Sequence, residues 1–255
     1  VTDADSTDSD LTLAFRWRAR RATPWCASGH LVAWDEIVLR TRERSSIPTM
    51  VPTTTVNREL SRVLLTDPLA TLWRAAVDND GFKLMPDLLE RMGIGGPALA
   101  RWLSQRLDRG LDVAGIPWRT DVVHSEDGWT TFTHVIDVPL TTSDLPRVGA
   151  VFEVPMADRI RWFGRGPLEN VPDRNAGALL DVWEAQPDDL PYLLPQEYGL
   201  RTDCRWMEIV FDSSTSLRIE AVEPVALHMS AVRHRDGDLF TARDVTELRS
   251  SPGLV

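Results

Sequence analysis

Cysteine is scarce in this chain, with only Cys26 and Cys204 among 255 residues. The two lie far apart, without CxxC spacing or a neighbouring histidine pair, so a zinc site has no ligand set. A bridge between them stays open, but buried free thiols are the expectation. An excess of positive charge is also missing. A net charge of −10 and a pI near 5.0 exclude a nucleic-acid or anionic-membrane surface, because phosphate binding needs clustered cations. The arginines are interleaved with acids, as on a solvated mixed-charge surface. No apolar run approaches the ~18 residues of a membrane span. The opening VTDADSTDSD is acidic where a secretory leader would be basic and then apolar. Both observations lead to the expectation of an intracellular, cytoplasmic protein. Internal repeats and low-complexity tracts are absent, as are His-Glu-x-x-His, G-x-S-x-G and Walker loops.

What is present is a chain 43% apolar, long enough for one large or two small domains. In LTLAFRWR at 11–18, Leu11, Leu13, Phe15 and Trp17 alternate with polar or small residues, a period of two that predicts a half-buried strand. A second strand is expected over 33–39, packing through Trp34 and Ile37 to Leu39. Two strands do not close a sandwich. Residues 46–58 are rich in Ser, Thr and Pro and read as a linker. Pro86 opens a short helical segment that Gly93 can stop, and Pro97 opens an amphipathic helix running to Gly110. Its stripe of Leu99, Trp102, Leu103 and Leu107 is a core face. From Trp118 onward strands dominate, at 118–123, 129–138, 150–154, 160–163, 178–183, 205–211, 217–221 and 226–232. EDG at 126–128 and RDGD at 235–238 read as turns. This pattern predicts an antiparallel sandwich and lacks the strand–helix alternation of a βα barrel.

Two dense polar clusters carry the candidate site. GRGPLENVPDR at 164–174 holds Glu169, Asn170, Asp173 and Arg174. PQEYGLRTDCRW at 195–206 holds Gln196, Glu197, Arg201 and Asp203. Charges that flank apolar strands must be paired, so the clusters are expected to meet, Glu169, Asp173 and Arg174 against Glu197 or Arg201. A loop lock between sheets and a polar floor for sugar hydroxyls are the two readings, the lock favoured. Asp78-Asn79-Asp80 reads as a turn or helix cap before it reads as a metal site. The five histidines lack ligand spacing. Most of the ten tryptophans read as core, although indole faces also stack on sugars. The segment 239–255 carries Leu239, Phe240, Val245 and Leu248 and reads as leading into further sheet.

These clusters resemble the C-terminal β-sandwich of glycoside hydrolase family 2 β-galactosidases. TPWCASGHLVAW at 23–34, LWRAAVDND at 72–80 and DLPRVGAVFEVP at 144–155 fall in the family's order as well. The resemblance implies a mainly β fold: an antiparallel, galactose mutarotase-like supersandwich at 59–255, incomplete at its end, preceded by the trailing part of an Ig-like sandwich at 1–45. It implies retaining hydrolysis of terminal non-reducing β-D-galactose by the whole enzyme, with both catalytic glutamates on an upstream TIM barrel. On that reading this chain has no catalytic residue and binds no cofactor, the family's Mg and Na lying outside it. Its partners would be the barrel, other subunits of a homo-oligomer and, through the full enzyme, a β-galactoside. The family's substrate-stacking Trp would lie beyond Val255. The chain departs from the family at Val171, where relatives have Tyr, and at Tyr198, where many have Asn. Its spacings are also short, which lost strands or omitted loops would both explain. A free-standing carbohydrate-binding module is the main alternative, and an aldose epimerase a third.

Overall fold

A computed structural model describes residues 11–40, 60–86, 88–93, 97–187, 194–221 and 226–255. The expected linker at 46–58 lies outside them. The fold is mainly β, and all its strand pairs are antiparallel. Twelve strands are described: β1 (Leu11–Arg18), β2 (Leu31–Arg40), β3 (Leu69–Thr71), β4 (Trp118–His124), β5 (Thr130–Ile136), β6 (Gly149–Val151), β7 (Arg159–Gly166), β8 (Leu179–Ala185), β9 (Arg201–Cys204), β10 (Trp206–Val210), β11 (Ser216–Glu220) and β12 (Leu227–Met229). The largest sheet has the order β11-β10-β7-β8, and the others are pairs: β1-β2, β3-β6, β4-β5 and β9-β12.

The centre of the large sheet follows from the alternation along β7. Ile160, Trp162, Gly164 and Gly166 face inward, while Arg161, Phe163 and Arg165 face outward. Trp162 is fully buried among Ile160, Met207, Ile209, Cys204, Met229 and Leu254. Its indole N–H donates to Arg165 O at 3.0 Å, so the ring's own polar atom is paired. The glycines on this face permit close approach. A Cβ on Gly164 would sit 2.7 Å from Cys204 Sγ and 3.0 Å from Cys204 Cα, and one on Gly166 would sit 2.6 Å from Trp183 Cδ1.

A second core gathers Leu72, Trp73, Leu99, Trp102, Leu107, Leu111 and Ile116. The amphipathic stripe is core as expected, but the helix is shorter. It spans Ala98–Ser104, and Arg106 then turns left-handed at φ 58 before a 3-10 turn at Leu107–Arg109. Leu107 still reaches the core, from the 3-10 turn and not from the helix. Leu88–Arg91 forms the short helix expected after Pro86. RDGD does not end in a turn. It opens a helix, α1 (Asp236–Thr241), whose Leu239 packs with Ala75, Tyr198 and Val232. The single lysine of the chain, Lys83, ties this helix down. Its ammonium donates to Pro195 O at 2.8 Å, to Leu239 O at 3.1 Å and to Ala242 O. The segment 239–255, read as leading into further sheet, contains a helix and a 3-10 turn. Its last residues pair on both sides, Leu254 with Val154 and Val255 with Val232.

The β1-β2 hairpin forms as the alternation requires, but most of the expected burial is absent. Leu31 and Trp34 are half-buried, whereas Phe15, Trp17, Ile37, Val38 and Leu39 are all exposed. A two-stranded hairpin has two faces and no layer of its own to lay either against. Cys26, on the connecting turn, is likewise only half-buried, whereas Cys204 is a fully buried free thiol. Of the ten tryptophans, Trp73, Trp102 and Trp162 are buried, while Trp17, Trp25 and Trp129 are exposed. Trp162→Ala is expected to cost about 3–5 kcal/mol in urea denaturation. Trp129→Ala, at the surface, is expected to cost less than about 1 kcal/mol.

Candidate functional site

The two polar clusters meet, and Asn170 is the residue that joins them. It sits in the turn after β7, where the Gly166–Pro167 bond is cis, and it is 3% exposed. Its Nδ2 donates to Arg165 O at 3.1 Å and to Leu168 O at 3.0 Å. Its Oδ1 accepts the Thr202 N–H at 3.0 Å and the Thr202 hydroxyl, and its own N–H donates to Leu200 O at 2.9 Å. Asn175 Oδ1 lies 2.8 Å from the same hydroxyl. Glu169 supports the junction from beside it, its Oε2 accepting the Gly199 N–H at 2.7 Å. The loop 167–175 is thereby hydrogen-bonded onto β9, a strand too polar (RTDC) to be read from the sequence.

Several expected pairings do not form. Arg174 stands half exposed with Glu169 Oε1 3.8 Å away, and Asp173 is exposed on the 3-10 turn Pro172–Gly177. Proline at the start of that turn lifts both side chains towards solvent, so neither reaches the second cluster. Gln196 contributes its backbone N–H, to Leu194 O at 2.8 Å. Arg201 does turn inward. Its guanidinium lies 4.8 Å from the Trp162 ring centroid and donates to Gly199 O and Leu200 O at 3.1 and 3.3 Å. Burial pulls its pKa below the usual arginine value, with Glu169 the nearest opposing charge.

Glu197 meets neither Arg174 nor Arg201. It pairs with Arg147, from the DLPRVG stretch, and Arg147 Nη1 also lies 3.3 Å from Asp236 Oδ2 at the start of α1. Burial pushes Glu197 up to about 7, with Arg147 opposing and Asp236 reinforcing the rise. Beside it, Arg74 holds Asp80 bidentately at 2.7 and 2.9 Å. Asp80 also accepts the Val77 N–H at 2.8 Å. The turn reading of 78–80 thus holds, with Asp80 closing a 3-10 turn.

Arg165 and Arg147 are the residues that sequence reasoning passed over. Arg165 Nε donates to Asp203 at 2.6 Å, and its Nη1 donates to Ala178 O at 3.1 Å and to Glu36 at 2.7 Å. Burial alone would lower its pKa, and the bonds to Asp203 and Glu36 outweigh that. Glu36 lies on β2, and its other oxygen accepts the Leu180 N–H of β8 at 3.0 Å. Arg16 of β1 pairs with Asp181 next to it. The hairpin is therefore held to the large sheet by charge. The signal for Arg165 was its place between two glycines, and Arg147 carried none.

Cys204 offers no nucleophile, because burial pushes its thiol up to about 12. Glu169 and Glu197 are both engaged in holding neighbouring chain. The arrangement is chemically a set of locks between loops, with Glu169, Asn170 and Thr202 at one and Arg74, Arg147, Glu197 and Asp236 at the other.

Comparison with known proteins agrees with the motifs. The family described as beta galactosidase small chain matches residues 52–255. A beta-galactosidase of Priestia megaterium is 24% identical over 89% of this chain and 26% of its own length. One from Arthrobacter sp. is 32% identical over 63% of the chain and 19% of its own length. One from Vibrio cholerae is 46% identical over 26% of the chain and 7% of its own. The chain spans about a quarter or less of the relatives it matches.

Arg174→Ala is expected to change stability by no more than about 1 kcal/mol, as for an exposed ion pair. Asn170→Ala leaves the buried Thr202 N–H without its acceptor and should cost at least about 2 kcal/mol. Denaturant titration of the two variants separates these outcomes. By the extent of the family match and the motifs it contains, the chain belongs to the beta-galactosidase small-chain family.

Proposed function

We propose that this chain is the non-catalytic C-terminal portion of a family 2 β-galactosidase, a retaining enzyme acting on terminal non-reducing β-D-galactose residues. Its role is to shape a wall of the active-site cleft and to support the assembly of domains and subunits in a cytoplasmic oligomer. One observation carries the non-catalytic part: the glutamates of the two signature clusters are engaged in structure, Glu169 by the Gly199 N–H and Glu197 by Arg147. A retaining glycosidase needs two carboxylates about 5–5.5 Å apart, free to attack and to move a proton. Carboxylates committed to backbone and guanidinium are poorly placed for either task.

Residues 1–45 belong, on this reading, to an Ig-like domain, 46–58 to a linker and 59–255 to the mutarotase-like sandwich. The hairpin within 1–45 supports it, since its uncovered apolar side chains would be completed by further strands of the same domain. The alternative of a free-standing carbohydrate-binding module draws on the exposed indoles of Trp17, Trp25 and Trp129.

The purified 255-residue chain is expected to release no nitrophenol from a nitrophenyl β-galactoside above a buffer blank, whereas a longer polypeptide that contains it hydrolyses the same substrate. Hydrolysis by the chain alone, abolished by one substitution within it, would overturn the non-catalytic role. Calorimetric titration of the chain with a β-galactoside tests the binding module, which requires saturable heat.

A further inference from the structure

Four segments converge around Ala75, and the charges they bring do not balance. Arg147 is shared by Glu197 and Asp236. The neighbouring guanidinium, Arg74, is already held by both oxygens of Asp80 and also donates to Pro146 O and Ala75 O. Three carboxylates thus face two guanidiniums, leaving one negative charge in surplus. Ala75 is fully buried, and the Glu197 side chain is only 10% exposed, so water does little to screen that surplus. Arg147 reaches both Glu197 and Asp236 from one planar group, which places the two carboxylates side by side. One proton removes the imbalance, because a protonated carboxyl can donate where two ionised ones repel.

We propose that Arg147, Glu197 and Asp236 form a proton-operated clasp, which holds segment 194–199 onto residues 72–80 and helix α1 when the two carboxylates keep one proton between them, and loosens when both are ionised. Burial acts on both acids in the required direction, raising Glu197 and Asp236 above ordinary carboxylates. They titrate as a pair. Groups on the adjoining elements are already committed. Lys83 grips Pro195 O and faces Glu247 and Asp78, and Glu169 holds the Gly199 N–H. Tyr198, next in line, bonds to His234 Nδ1 at 2.6 Å, so release of Glu197 is felt through a buried side chain. The clasp stands independently of whether the longer polypeptide hydrolyses galactosides.

A folded-state pKa above the unfolded one gives stability that is complete at acid pH and lost as pH rises through the folded value. His134, whose pKa burial lowers, acts in the opposite sense, so the comparison is made against variants of the full chain. Between about pH 5 and 8 the wild type should lose melting temperature relative to Glu197→Gln and Asp236→Asn, each of which removes the surplus charge. Carboxyl carbon NMR of the unmodified chain needs no variant. It should show one step of the pair with a midpoint near about 7, accompanied by faster amide exchange at 196–199 beyond the intrinsic pH effect. Both carboxyls titrating below about pH 5, or both variants keeping the wild-type pH slope, would sink the clasp.

Discussion

Asn170 has two amide hydrogens, one carbonyl oxygen and its own backbone N–H, and all of them are in use. Much else in the large core depends on that. The loop after β7 lies flat against β9, so Thr202 and Cys204 can be fully buried without leaving a backbone group unpaired. With β9 in place, Gly164 meets Cys204 at a distance only glycine allows, and Trp162 is sealed between the sheet and Arg201. An aspartate here would lose both side-chain donors, and a leucine would keep only the backbone bond to Leu200 O. The geometry is over-determined, and this explains how a loop so rich in Gly, Pro and charge keeps one conformation.

Arginine serves the rest of the structure as lysine could not. Arg165 reaches three acceptors on three different segments from one planar group, Arg74 clamps Asp80 with two parallel bonds, and Arg147 spans two acids. A guanidinium as a class keeps its charge throughout the ordinary pH range. Changes of charge in these networks must therefore come from the acids and histidines.

Much of the fold was legible because strands with one buried face carry a period of two. Ile160, Trp162, Leu217 and Ile219 announced their strands, and all eight strands expected after Trp118 are present with shifted ends. β9 was not legible, because its side chains make hydrogen bonds where an ordinary strand would show apolar alternation. The hairpin misled in the opposite way: its alternation is as clean as any, yet burial depends on a second layer, which periodicity within one strand does not report. At the candidate site the meeting of the two clusters followed from the need to pair buried charge, but the choice of partners did not. Arg174 was an equally good partner for Glu197 by charge. Only the direction of the 172–177 turn sends it outward, leaving Arg147, far off in sequence, to take its place.

Lys83 bears on how this chain meets covalent chemistry. It is the single lysine in the sequence, and its ammonium hydrogens are taken up by carbonyls of Pro195, Leu239 and Ala242. A modification that needs a side-chain amine, such as acetylation, glycation or ubiquitin attachment, finds one target here. That target is reactive only after it lets go of the end of a helix. The surface is thus nearly blank to amine-directed marking, and whatever mark does reach Lys83 reports that this corner of the fold has opened.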